Sequence, residues 1–111
     1  MILSTIRMAI PAEKHNDALR ILRSIAAQSR DDSGCLSCHI YRDIEDSNIL
    51  MLQGSWETEE NLNFHVRSSE YRNLLLVMEM SLEQPGVRFE TISDSTGIEN
   101  IEKIRSSISR G

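Results

Sequence analysis

Long hydrophobic runs, basic clusters and abundant glycine or proline are all missing from this sequence of 111 residues. No segment reaches the roughly 18–20 apolar residues that span a bilayer, so we expect no membrane partner. The 12 basic residues are outnumbered by 17 acidic ones and no two of them are adjacent, so we expect no nucleic-acid partner. The 5 glycines and 2 prolines exclude a collagen-like or low-complexity chain.

What remains is the composition of an ordinary globular domain, with 40% hydrophobic residues, 26% charged residues and a net charge of −5. A chain of this length forms one domain and can bury a core without disulfides or a structural metal. The apolar N-terminal stretch is short for a secretion signal and is interrupted by Arg7. We therefore expect a cytoplasmic protein with free thiols.

Hydrophobic periodicity divides residues 1–93 into alternating strands and amphipathic helices. In chain order these are a strand at 2–10, a helix at 13–30, strands at 35–44 and 49–56, helices at 59–66 and 69–82, and a strand at 87–92. If the two adjoining helices count as one helical region, the order is strand, helix, strand, strand, helix, strand. This order predicts an α+β, ferredoxin-like split βαβ fold, with a four-stranded antiparallel sheet and the helices on one face.

The third predicted strand carries apolar residues on both of its sides. Leu50, Leu52 and Trp56 share one side, while Ile49 and Met51 share the other. Because the helices cover only one face of the sheet, the other face is predicted to pack against a second copy of the chain. The expected assembly is a homodimer in which the two sheets form a dimeric α/β barrel.

A C-terminal tail over residues 94–111 follows this domain and has its own pattern. Ile98, Ile101, Ile104 and Ile108 recur at helical spacing and predict a short amphipathic helix. A helix of about 13 residues is marginal on its own. We therefore expect the isoleucine stripe to dock on the body of the domain or on the partner subunit.

Several short motifs fall in register with one known family. They are Ser33-Gly34-Cys35 before a strand, Tyr41-Arg42-Asp43, Trp56 at a strand end, and His65 followed by Ser68-Ser69-Glu70-Tyr71. On these residues, over about 1–93, the chain resembles the antibiotic biosynthesis monooxygenase family of dimeric α/β-barrel proteins. The resemblance implies a substrate pocket between the sheet and the helices of each subunit. It also implies oxygenation without a metal, flavin or haem cofactor, as in family members that act on quinols and polyketide aromatics.

The function expected from this resemblance is cofactor-independent monooxygenation of a small quinol or phenol, with oxygen as co-substrate. The family also includes isomerases and members of unknown role. A non-catalytic dimer that binds or senses a small molecule would have the same sequence features, so it stands as the alternative.

The resemblance places His65 near Trp56 and makes it the candidate catalytic base. An imidazole that titrates near neutrality could take the proton of a phenol. The alternative is a structural histidine that bonds a backbone group where the two short helices meet. Trp56 and Tyr71 are candidates for the substrate-binding wall, or else belong to the core. Arg42 and His39 are weaker substrate-binding candidates: Arg42 also fits a solvated edge position, and His39 is predicted to point into the barrel between subunits.

Cys35, Cys38 and His39 form a C-x-x-C-H sequence, which is the signature of c-type haem attachment. On a regular strand, residues three apart lie about 10 Å from each other and face opposite sides. That geometry is unfavourable for a disulfide, for two thioethers to one haem or for two ligands to one metal. We therefore expect no cofactor and no metal at these cysteines.

Overall fold

The computed structural model describes residues 1–107 in full, together with the backbone of Ile108. Eight strands and helices follow the predicted order, with one 3-10 turn at Ala12–Lys14 before the first helix. They are β1 (Ile2–Ala9), α1 (His15–Asp31), β2 (Cys35–Arg42), β3 (Ile49–Trp56), α2 (Glu59–Arg67), α3 (Ser69–Glu79), β4 (Gly86–Thr91) and α4 (Ile98–Ile108). No helix in this described part is long and apolar enough to cross a membrane.

The four strands form one antiparallel sheet in the order β2-β3-β1-β4. β1 lies in the centre, where Ile2 pairs with Trp56 of β3 on one side and with Thr91 of β4 on the other. This arrangement confirms the predicted α+β, ferredoxin-like fold.

One face of the sheet is covered by helices and holds the core. Ile6 and Met8 of β1 and Leu50 of β3 are buried on this face together with Leu22 of α1 and Leu74 of α3. The alternation along β1 accounts for this, because residues at every second position share a face of the sheet. The buried apolar sides of α1 and α3 supply the other half of the core.

A β-bulge interrupts the pairing between β2 and β3. Cys35 pairs with Trp56 and Ser37 with Ser55, so Leu36 is an extra residue with no partner. Cys38 pairs with Gly54, two positions before Trp56 on the same side of β3. Both cysteines therefore face the helices, and the prediction that they face opposite sides was wrong.

Alternation along the predicted strand at 35–44 puts Leu36, Cys38, Ile40 and Ile44 on one apolar side, and the bulge changes this side. Leu36 was expected on the same side as Cys38 and Ile40, but its surface is 56% exposed. Ile44 was expected to continue that side, but the strand ends at Arg42 and Ile44 is 98% exposed in the following turn. Both predictions were wrong, because alternation continues neither through a bulge nor past the end of a strand.

The sheet's second face, which we call the open face, is not covered by helices. Register places Thr5 and Arg7 of β1 there, together with Met51 and Gln53 of β3. The face is thus a mixture of polar and apolar residues, whereas Leu50, Leu52 and Trp56 all lie under the helices. The open face is less apolar than the sequence suggested, and the homodimer stays a prediction.

The tail forms the predicted helix, α4, but its stripe does not dock on the body. Ile98, Ile101 and Ile104 are each more than half exposed, and the side chain of Ile108 lies outside the described residues. The radius of gyration is 16.8 Å, compared with about 13 Å for a compact domain of 100 residues. Docking on the body is therefore not observed, and docking on a partner subunit stays a prediction.

Candidate active site

His65 lies in the last turn of α2, where two hydrogen bonds fix its backbone. The backbone N–H and the hydroxyl of Ser68 both donate to the carbonyl oxygen of His65, at 3.1 Å and 2.6 Å. At the other end of α2, Thr58 caps the helix by accepting the N–H of Asn61 at 3.1 Å. Both ends of this short helix are thus fixed, and the position of His65 with them.

The His65 ring lies between two aromatic side chains. It stacks on Trp56 with a centroid distance of 4.5 Å and an interplanar angle of 28°. Tyr71 meets it edge-on at 5.3 Å and 89°. All three side chains are buried, and His65 itself is only 6% exposed. The structure therefore brings together three of the residues singled out from the sequence, and we call them the aromatic cluster.

Asp32 adds a carboxylate to the aromatic cluster. Its Oδ2 atom lies 4.0 Å from Nδ1 of His65, which is too long for a direct hydrogen bond but close enough for a charge interaction. Asp32 caps the C-terminus of α1, where the chain turns toward β2. The sequence does not single out Asp32, because Asp31 and Asp32 are the same residue type and only the end of the helix decides which one turns inward.

The turn after Asp32 fits closely against α2. Gly34 has a φ of +80°, a conformation that favours glycine. A Cβ atom at this position would overlap the side chain of Asn61. The carbonyl of Gly34 also accepts the N–H of Glu57, at 2.8 Å. This packing holds Asp32 beside His65.

Burial and charge act in opposite directions on the imidazole. Burial lowers the pKa of His65, and the nearby Asp32 carboxylate raises it by a smaller amount. The net effect is a lowered pKa, so the imidazole is neutral near pH 7 and able to accept a proton. Burial also raises the pKa of Tyr71, which keeps its phenol protonated.

A cavity of about 190 Å³ adjoins the aromatic cluster on the side of β1 and β4. Half of its lining is apolar, from Ile2, Leu62 and Phe89, and half is polar, from Glu59, Asn63 and Thr91. Ile2 and Leu62 also pack with Trp56 in one hydrophobic cluster, so they separate the cavity from the aromatic rings. A cavity of about 150 Å³ is enough to hold benzene, so this one can hold a single aromatic ring.

His39 and Arg42 do not join the aromatic cluster. Arg42 pairs with Leu50, which lies six residues before Trp56 on β3 and so about 20 Å away along the strand. His39 pairs with Gln53 on the open face and meets the ring of Tyr41 edge-on, at 6.5 Å. Both residues line a separate groove at the outer edge of β2.

The surroundings of Cys35 and Cys38 differ from those expected from the sequence. Cys35 packs against the hydrophobic cluster that contains Trp56, so it is a neighbour of the candidate site that was missed. Burial raises the pKa of Cys35, and it raises that of Cys38 to about 11, with a smaller contribution from Cys35. Both thiols are therefore protonated near neutrality and are weak nucleophiles. Within the described part of the chain, no group of three His, Cys, Asp or Glu residues is arranged to hold a metal.

Solved structures with the same fold are numerous. A protein from Deinococcus radiodurans has 15% identity and a TM-score of 0.80, over 88% of this chain and 98% of its own. A conserved protein from Methanosarcina mazei has 20% identity and a TM-score of 0.76, over 80% and 89% of the two chains. A solved antibiotic biosynthesis monooxygenase has 17% identity and a TM-score of 0.76, over 85% and 100%. At these identities the likeness shows the fold.

Family membership comes from the sequence comparison. No curated protein matches the sequence. The family described as antibiotic biosynthesis monooxygenase matches residues 1–75. That match spans β1 through most of α3 and includes Asp32, Trp56, His65 and Tyr71. This chain belongs to the antibiotic biosynthesis monooxygenase family.

Proposed function

We propose that this protein is a cofactor-independent monooxygenase that acts on a small quinol or phenol, with His65 as its catalytic base. The observation that carries the proposal is the burial of His65 between Trp56 and Tyr71, with the Asp32 carboxylate 4.0 Å from Nδ1. A buried neutral imidazole beside a carboxylate is suited to accept a proton, since the carboxylate stabilises the imidazolium that forms.

The chemistry needs a base because a phenolate gives up an electron to oxygen more readily than a phenol does. His65 would accept the phenolic proton. The substrate supplies all four electrons that reduce oxygen: one oxygen atom enters the ring, the other leaves as water, and a quinol becomes a hydroxyquinone. The proton held by His65 can then return to the departing oxygen.

The space and the surfaces near the aromatic cluster support this substrate class. The cavity of about 190 Å³ suits one ring. Its apolar residues Ile2, Leu62 and Phe89 suit the faces of an aromatic ring, and its polar residues Glu59, Asn63 and Thr91 suit ring hydroxyl groups. Ile2 and Leu62 lie between this cavity and Trp56. A ring bound there reaches His65 only if these two side chains move aside.

A purely structural role for His65 is the alternative. The hydrogen bonds from Ser68 go to the backbone carbonyl of His65, which any residue would provide. They do not explain why an imidazole stands at this position. The contact of the imidazole with Asp32 is what favours a chemical role.

The test compares two histidine variants against a panel of quinols while oxygen uptake is followed. His65→Ala should lower turnover of a responsive quinol by about 10²-fold or more, the usual scale of base catalysis. His39→Ala, which removes an exposed histidine outside the aromatic cluster, should keep full turnover.

Full turnover in His65→Ala with an unchanged melting temperature would rule out His65 as the base. A loss of turnover that only follows the loss of folded protein would assign it a structural role. Absence of oxygen uptake with every quinol in the wild-type protein would favour the non-catalytic binding dimer.

A further inference from the structure

Three arginines converge on the groove at the outer edge of β2, which we call the arginine groove. The groove has a volume of about 360 Å³ and lies between α1 and β2. Arg23 and Arg30 reach it from α1, and Arg42 reaches it from the end of β2. Its lining contains no Asp or Glu.

The fold places these arginines at fixed positions. Arg23 and Arg30 are seven residues apart on α1, which is two helical turns or about 10 Å on the same side of the helix. Nε of Arg30 donates to the carbonyl oxygen of Cys38 at 2.9 Å. That carbonyl is available because β2 is an outer strand of the sheet. The bond uses one of the five N–H donors of the guanidinium and directs the side chain along the strand edge.

Within the part of the chain that the structure describes, none of these arginines forms an ion pair with an acidic side chain. The ion pairs found among the described residues are Arg20–Asp17 and His65–Asp32, and neither involves the groove. Asp43 lines an adjoining cavity together with Arg42 but forms no ion pair with it, and its carboxylate accepts the backbone N–H groups of Glu45 and Asp46. In a chain with 17 acidic and 12 basic residues, this local excess of positive charge is unusual.

The rest of the lining consists of His39 and Tyr41 of β2 and three apolar residues. Leu19 of α1, Ile40 of β2 and Leu50 of β3 contribute side chains beside the arginines. A bare inorganic ion would use only the charged part of such a groove. An anion attached to an apolar or aromatic body would use both parts.

We propose that the arginine groove is a second binding site, which takes a small organic anion. Arg23, Arg30 and Arg42 hold its carboxylate or phosphate group, to which guanidinium groups bind with two parallel hydrogen bonds. Leu19 and Ile40 contact its apolar part. The site lies at the opposite end of β2 and β3 from the aromatic cluster, so it does not depend on the function proposed for His65.

Calorimetric titration with three probes tests the site, in a low-chloride buffer at pH 7.5. Phenyl phosphate, benzoate and inorganic phosphate separate the contributions of the anion and the ring. The organic anions should bind saturably and more tightly than inorganic phosphate. The stronger of the two identifies whether the groove prefers phosphate or carboxylate.

Substitutions then assign the binding to the groove. The double variant Arg23→Gln with Arg42→Gln should raise the Kd of the better probe by 10-fold or more. Both side chains are exposed, so the fold should survive, which circular dichroism checks. Arg20→Gln is the matched control, because Arg20 lies on the same helix, outside the groove, and pairs with Asp17. Its Kd should stay within twofold of the wild-type value.

Two results would overturn the proposal. One is the absence of saturable binding for all three probes. The other is an equal loss of affinity in Arg20→Gln and in the double variant, which would show only a general effect of charge. If the double variant fails to fold, Arg23→Gln alone must raise the Kd by at least threefold, or the groove is not the site.

Discussion

The environment of His65 couples its protonation to folding. Its pKa is lowered in the folded protein, mainly by burial, so the folded state binds this proton less readily than the unfolded chain does. The ordinary pKa of histidine is about 6.5. The stability that His65 contributes is therefore fully present above pH 6.5 and is lost as the pH falls from there through the lower folded-state pKa.

This linkage predicts a pH-dependent difference between wild type and His65→Gln. As the pH falls from 7.5 to 5, wild-type stability should decrease more steeply than that of the variant, because glutamine takes up no proton. Urea unfolding at a series of pH values measures both curves. Parallel curves would contradict the burial of a neutral imidazole.

Asp32 provides a second prediction at the residue scale. Its negative charge raises the pKa of His65, so Asp32→Asn should lower that pKa further. The acidic limb of the pH–rate profile should move to lower pH, while the maximum rate falls because the base is weaker. Asp31→Asn is the matched control, since Asp31 is exposed at the neighbouring position. A shift in the control of the same size would contradict a specific role for Asp32.

Among single residues, the family motifs in the sequence identified His65, Trp56 and Tyr71, and the structure brings these three together. These motifs did not identify Asp32. Whether an acidic residue at a helix end faces solvent or a histidine 33 positions later depends on the path of the turn at Gly34, which neither composition nor periodicity specifies.

Among the elements, β1 and α1 follow their hydrophobic patterns closely, since each buries one regular side. β2 does not, because the bulge at Leu36 interrupts the alternation, so that Cys35 lies on the same face of the sheet as Cys38. A bulge depends on pairing with the neighbouring strand and leaves little trace in local sequence. For the tail, the isoleucine pattern predicts the helix α4 correctly, but the pattern alone does not say what the isoleucine side chains contact.

The bulge can be tested by comparing two leucines. Leu36→Ala should change the free energy of unfolding by less than about 0.5 kcal/mol, as for exposed positions generally. Leu52→Ala should cost about 2–5 kcal/mol, because Leu52 is buried in the core. Chemical denaturation measures both. A large loss in Leu36→Ala would show that Leu36 faces the core and that the regular alternation continues through β2.

At the scale of the whole molecule, the open face of the sheet and the described part of the α4 stripe are not covered by other parts of the chain. The open face carries Met51 and Leu3 among polar residues such as Thr5 and Gln53. Gln53 already donates to the Thr5 hydroxyl at 3.4 Å, so part of its polar surface is satisfied within the sheet. Such a face is suited to a second copy of itself, since a two-fold arrangement places apolar groups against apolar groups and leaves the charges at the rim.

We therefore predict a homodimer that forms through the open face. Light scattering at micromolar concentration should give twice the chain mass of 12.7 kDa. Met51→Glu should shift the protein toward the monomer, because it places two carboxylates near the centre of a two-fold interface, where like charges repel and lose water. Leu36→Glu adds the same charge at an exposed position of the outer strand β2 and should leave the dimer intact. If the wild-type protein is a monomer at this concentration, the predicted dimeric barrel is wrong. A dimer that survives Met51→Glu but is lost when residues 95–111 are deleted would show that the α4 stripe holds the two copies together.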